Sequence, residues 1–175
     1  VTFPQPPGFP GHEWVGEVVE LGPGVTDLAL GDWVCQPGGR GRGRSYPGGY
    51  SQYIVCSESS LLRVPNDMDP LKLAPMEMAS CVAANVVELR QFNAIEGRRA
   101  GVSGLGPAGL IAAQMLRAEG AEEVIGIEVD AQRADYALSV GVVDRVVDPD
   151  GDSGDALPYA RQPGAIEVGV VCAGY

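Results

Sequence analysis

Apolar and polar positions change rhythm near the middle of this chain of 175 residues. Before about Leu73, short apolar runs are cut by glycine and proline. Glu13 to Leu21 carries Val15, Val18 and Val19 and ends at Gly22-Pro23-Gly24, a turn signal. Gly31-Asp32-Trp33-Val34 opens another strand, Tyr50 to Val55 favours a third, and Leu61 to Pro65 a shorter one. Many short strands with Gly/Pro turns predict a small barrel-like β domain. Residues from about Ala74 to Phe92 have few breakers and predict a helix. After Gly97 strands and helices alternate. Arg99–Ser103 is a strand, a helix follows through Leu116 to Gly120, and Val124–Ile127 is a second buried strand. Ala131–Val140 is a helix, Val142–Val147 a strand, and Ile166–Cys172 a fourth strand running into Ala173-Gly174. The polar stretch Asp148–Gly164 leaves room for one short helix, and no internal repeat is apparent.

The first strand-to-helix turn of the second half carries the chemistry. Gly104-Leu105-Gly106-Pro107-Ala108-Gly109 fits G-x-G-x-x-G, and Glu128 stands nineteen positions after Gly109. In such a turn the first glycine permits the bend. The second lets the backbone approach a pyrophosphate, and the third lets the helix pack close to the strand. The helix N-terminus offers N–H groups and partial positive charge to the phosphates. The acid at the end of the second strand accepts hydrogen bonds from ribose hydroxyls and repels a 2′-phosphate, which favours NAD over NADP. Arg133, on the next helix, braces the ribose, contacts a 2′-phosphate in a different pose, or is a solvated charge. Cys172, Ala173 and Gly174, at the end of the fourth strand, complete the expected cofactor-binding set.

Composition narrows the setting. The formal net charge of −11 disfavours nucleic acid and anionic membranes as partners. The exception is the basic glycine run Gly38–Arg44, which reads as a solvated surface loop. No run of 18 apolar residues is present to span a membrane. Four scattered cysteines without a C-x-x-C pair fit a reduced, cytoplasmic setting.

Pro10-Gly11-His12-Glu13 contains the only histidine. The run PGHEWVGEVVELGPGVTDLALGDWV at residues 10–34, GGYSQYIV at 48–55 and the glycine fingerprint together resemble the medium-chain dehydrogenase/reductase family, among its zinc-dependent alcohol and polyol dehydrogenases. The resemblance covers nearly the whole chain. It implies a β domain followed by an α/β domain: a partial GroES-like β-barrel over residues 1–80, then a partial Rossmann domain, a doubly wound parallel sheet, over 81–175. It also implies that His12 ligates a catalytic zinc and that Glu13 ligates zinc or orients the site. The third ligand lies in Glu77-Met78-Ala79-Ser80-Cys81, which resembles the family's E-P-L-A-C segment without its proline. Glu77 is favoured as ligand, with Cys81 as a wall residue near the nicotinamide.

The departures matter too. The family's first ligand, a cysteine, lies upstream of Gly-His-Glu, and no cysteine precedes His12. That fits either a missing N-terminal segment or a chain that has lost zinc. Four strands where a complete fold of this kind has six also read as a fragment. Cys35 stands alone where many members carry four cysteines, so no structural zinc is expected. The activity implied is oxidation of an alcohol, polyol or sugar by hydride transfer to NAD, with zinc as the Lewis acid, in a full-length homodimer or homotetramer. Alternatives are a zinc-free quinone or enoyl reductase of the same superfamily, which lacks such a histidine, and a non-catalytic dinucleotide-binding protein.

Overall fold

The computed structural model describes residues 10–37, 48–65, 67–150 and 165–173. The chain divides into two compact units, Val1–Cys81 and Val82–Tyr175.

In the first unit, β1 (Val15–Glu17), β2 (Trp33–Cys35) and β3 (Leu62–Arg63) form an antiparallel sheet in the order β1-β2-β3. Val15 faces Cys35, Glu17 faces Trp33, and Val34 faces Arg63. Cys35, Val64 and Leu73 form the buried core, with Val15, Trp33 and Met76 packed against it. The loop between β1 and β2 is held by a carboxylate. Glu58 accepts hydrogen bonds from the backbone N–H groups of Thr26, Asp27 and Leu28, the shortest at 2.7 Å from Asp27. Helix α1 (Pro70–Leu73) starts at Asp69, whose side chain accepts from Leu71 N–H, with Pro70 at the first helical position. That position needs no N–H donor.

The strand expectations for this half hold only in part. Glu13–Leu21 narrows to Val15–Glu17, because Val19 and Leu21 are exposed and gain nothing from pleating. Beyond β1, the ladder continues only through Val18, which exchanges hydrogen bonds with Asp32 and Gly31. Tyr50–Val55 is not a strand; Tyr50, Tyr53 and Val55 are largely exposed, so no packed face rewards its β-favouring composition. Among the described residues the sheet has three strands and is not a closed barrel.

Helix α2 (Met76–Gln91) follows, and the division between the units falls inside it. The second unit is a parallel sheet in the order β6-β5-β4-β7, formed by β4 (Arg99–Ser103), β5 (Glu123–Ile127), β6 (Arg145–Val147) and β7 (Val168–Val171). Residue 99 pairs with 123, and residue 100 with 168, at the two sides of β4. The central residues of β4 and β5 are buried, as expected of strands covered on both faces. Helix α3 (Pro107–Ala118) buries Gly109, Ala112, Ala113 and Leu116, one stripe at the helical repeat. Leu116 is fully buried, worth about 1.5–3 kcal/mol by transfer from water. Helix α4 (Ala131–Ser139) starts at Asp130, whose carboxylate caps the N–H groups of Gln132 and Arg133.

The third strand is shorter than the run Val142–Val147 because Val142 N–H still bonds back to Ala137 C=O at the helix end. Expectations for the basic loop at 38–44, the short helix within 151–164 and Gly174 lie outside the described residues, as does most of the segment following Cys35. Among the described residues, no helix is long and apolar enough to cross a membrane.

Candidate metal and dinucleotide sites

In the first unit, the segment 10–14 is held by glycines that let a second segment lie directly on it. Gly49 N–H donates to Gly11 C=O at 2.7 Å, and Tyr50 N–H donates to Pro10 C=O. A Cβ on Gly48 would collide with the carbonyls of Pro10 and Gly11, and one on Gly49 would meet the Trp14 ring at 2.6 Å. Gly11 itself has φ +99° beneath the Tyr50 ring, a conformation that excludes most side chains. This clamp fixes the backbone on which His12 and Glu13 stand.

Glu77 comes to them from the first turn of α2, where the helix dipole stabilises a carboxylate. Its Oε2 lies 3.9 Å from His12 Nε2. One ligand atom each from His12, Glu13 and Glu77 lies within 4.8 Å of the others. Glu77 is buried, His12 half-buried and Glu13 exposed, so the cluster has one open side. Cys81, one helical turn after Glu77, donates its thiol to Glu77 Oε1 at 3.6 Å. Thus His12, Glu13 and Glu77 converge, while Cys81 braces Glu77 from the next turn.

The donor set fits zinc. Imidazole and carboxylate are zinc ligands at about 2.0–2.2 Å, which places tetrahedral ligand atoms about 3.4 Å apart. The observed spacings need only side-chain adjustment to reach that value. Three protein ligands with an open side match a catalytic rather than a closed structural site. Cys35, by contrast, is buried in the sheet core, and burial pushes its thiol up.

In the second unit, the three fingerprint glycines occupy three different environments. Gly104 has φ +86°, and a Cβ there would come within 2.8 Å of Ala173 N. Gly109 lies directly on the carbonyl oxygen of Gly104. Over Gly106 there is open space among the described atoms. Gly106 is also the N-cap of α3 and supplies no side-chain cap, so no N-cap side chain occupies the free N–H groups of the helix's first turn. Bend, packing and open approach are the three properties a dinucleotide loop requires.

Beside this loop lies a cleft of about 440 Å³, lined by Leu105, Gly106, Pro107, Leu110, Asp130, Gln132, Arg133 and Tyr136. Its size suits a small ligand or a nucleotide portion. Leu110, Asp130, Gln132 and Tyr136 lie outside the set expected from sequence; the usable signal is Asp130 as an N-cap immediately before a helical run. Ala108 packs toward the core of the unit. Cys172 packs against the same core, where burial pushes its thiol up, and Ala173 backs Gly104; neither lines the cleft.

Glu128 is buried and occupied by the backbone. Its Oε2 accepts from Leu105 N–H at 2.7 Å, and its Oε1 accepts from Val129 and Asp130 N–H at 3.0 Å each. Burial alone would push this carboxyl up; the three N–H donors and the nearby Arg133 charge outweigh it and hold the group below the usual range. Asp144 shows the same balance: Val124 N–H and Arg117 overcome its burial. Both groups have a lowered folded pKa, so their stabilisation is full above the ordinary carboxylate range near about 4. It is lost as pH falls through the lower folded values. Denaturant melts between pH 7 and 3 are expected to show a steep loss of stability below about pH 4. E128Q and D144N are each expected to flatten that loss.

Comparison with known proteins adds the family context. The alcohol dehydrogenase GroES-like domain model matches residues 1–66. An L-threonine 3-dehydrogenase of Thermococcus kodakarensis is 36% identical over 163 residues, 83% of this chain and 46% of that protein. A (R,R)-butanediol dehydrogenase of Bacillus subtilis is 32% identical over 79% of this chain and 44% of that protein. A Sinorhizobium meliloti protein solved with NADP bound superposes with a TM-score of 0.81 at 29% identity, over 99% of this chain and 56% of that one. The chain spans about half the length of the curated relatives it matches.

Proposed function

We infer that this chain, which belongs to the zinc-dependent medium-chain alcohol and polyol dehydrogenase family, carries the zinc-binding residues and the adenosine-side dinucleotide loop of an enzyme that oxidises a small alcohol or polyol with NAD. The convergence of His12, Glu13 and Glu77 carries this reading. Members without zinc lack the histidine, and here the histidine stands beside two carboxylates. His12 and Glu77 hold the metal, and the exposed Glu13 is either a third ligand or the group that orients the site. Bound there, zinc supplies Lewis-acid polarisation of the substrate oxygen.

The chain's own residues do the rest. Cys81 fixes the Glu77 carboxylate through its thiol hydrogen bond. Gly106 admits the pyrophosphate to the uncapped start of α3, whose dipole favours its charge. The Asp130 carboxylate in the cleft lining makes that region hostile to a further phosphate, which supports NAD over NADP. The test combines metal analysis of this chain with NAD reduction by the whole enzyme across primary alcohols, vicinal diols, sugar alcohols and hydroxy amino acids. Zinc near one per chain and reduction with one of these classes is expected; a chain that binds no zinc overturns the reading.

A further inference from the structure

Among the described residues, two buried side-chain polar atoms lack a hydrogen-bond partner, Trp14 Nε1 and Gln36 Oε1. The sheet register brings their residues together. Val15 faces Cys35 and Gly16 faces Val34, so Trp14 and Gln36 are the next residues along the two antiparallel strands. Side chains alternate between the faces of a strand. Val15 and Cys35 belong to the core on one face, so Trp14 and Gln36 share the other with Gly16 and Val34. The Trp14 ring agrees: Cε3 and Cζ3 lie 3.9 Å from where a Gly16 Cβ would stand. Residues opposed in this way have Cβ atoms about 4.5–5.5 Å apart.

The two orphaned atoms are complementary. An indole N–H only donates, and an amide oxygen only accepts. Both are shut away from bulk solvent. Gln36 is 4% exposed. The pyrrole edge of Trp14, which carries the N–H, is covered by Gly49; a Cβ there would meet Cδ1 and Cγ at 2.6 Å. Leaving a buried donor and a buried acceptor both unmade costs the desolvation of each. An internal water joins such a pair by accepting from one and donating to the other.

We propose that one internal water, accepting from Trp14 Nε1–H and donating to Gln36 Oε1, ties β2 to the segment that carries His12 and Glu13, and that Gln36 is thereby a positioning residue for the metal cluster. The consequence for zinc rests on the metal reading above; the water bridge does not. The path is short. Trp14 follows Glu13 directly, and Gly49, which lies on its ring, also donates to Gly11 C=O. Glu77 reaches the cluster from α2, so its spacing to His12 and Glu13 depends on where the segment 10–14 is held.

The test begins with the full chain labelled with 15N-tryptophan. The indole N–H signal that W14F deletes is expected to exchange slowly with solvent and to show cross-relaxation with a long-lived water, in the absence of zinc. Q36M keeps the length of the side chain, removes the amide, and is expected to abolish that water contact. No water contact at this indole in the parent overturns the bridge, and that measurement needs no variant to fold.

Zinc affinity, measured well below the melting temperature, is the second readout, because a purely structural role would leave it unchanged in the folded chain. W14F and Q36M are each expected to weaken it about tenfold, the low end for groups that orient metal ligands. The double variant W14F/Q36M should be no weaker than either single one, since each removes the same bridge. Parental affinity in both single variants, or losses that multiply in the double, overturns the positioning role. A parent that shows the water contact but binds no zinc would instead sink the metal reading.

Discussion

Replacing His12 with alanine is expected to abolish zinc retention and, in the whole enzyme proposed above, to lower kcat/KM for alcohol oxidation at least about a thousandfold, equivalent to about 4 kcal/mol. These 175 residues hold one histidine, so no second imidazole among them can take its place. Without it the cluster keeps Glu13 and Glu77 only. An all-oxygen pair suits magnesium or calcium, not zinc. Zinc added at a hundred times its Kd should stabilise the parent by about 2.7 kcal/mol through mass action, and H12A should show no such shift. E77Q is expected to lose most of the same stabilisation, because its carboxylate is the buried member facing His12 Nε2 at 3.9 Å. E13Q should lose less, since Glu13 is exposed and water can replace one ligand. One zinc per chain retained by H12A after dialysis would show that the metal is held elsewhere.

Local patterns are legible in this sequence and long-range ones are not, for physical reasons. The βαβ unit was legible because period, glycine spacing and strand length all sit within thirty residues, and β4 and β5 are buried on both faces. Helix α4 was legible through its apolar rhythm and its end at Gly141. Tyr50–Val55 departs from the strand its composition predicts because β-favouring side chains make a strand only when distant chain supplies a packed face, and here they are exposed. At the metal cluster, Glu77 and Cys81 are four residues apart and share one helix face, so spacing could not separate them. The structure sets Glu77 beside His12 and makes Cys81 its hydrogen-bond donor. The position of Glu128 just after β5 is legible in the sequence, but its bond to Leu105, 23 positions away, has no sequence signature.

The fingerprint glycines supply the second large effect, because two of them are expected to fail in opposite ways. G109A puts a methyl group onto the carbonyl of Gly104, and backbone on both sides has nowhere to go. Overpacking costs about 1–3 kcal/mol in yielding cores; here the neighbour is backbone, so a loss of about 3 kcal/mol or more is expected. A unit of this size then melts about 12–24 °C lower, and dinucleotide binding falls with it. At Gly106 the same methyl group meets open space, and φ −69° with ψ −172° suits alanine. The change at this N-cap costs less than about 1 kcal/mol, so G106A should fold and melt close to the parent. Its methyl group nonetheless stands where the pyrophosphate must approach, and NAD affinity should fall at least about tenfold. Calorimetric melts and NAD titration of the two variants separate packing from approach. A G106A chain that binds NAD like the parent would mean that the phosphates do not cross this glycine.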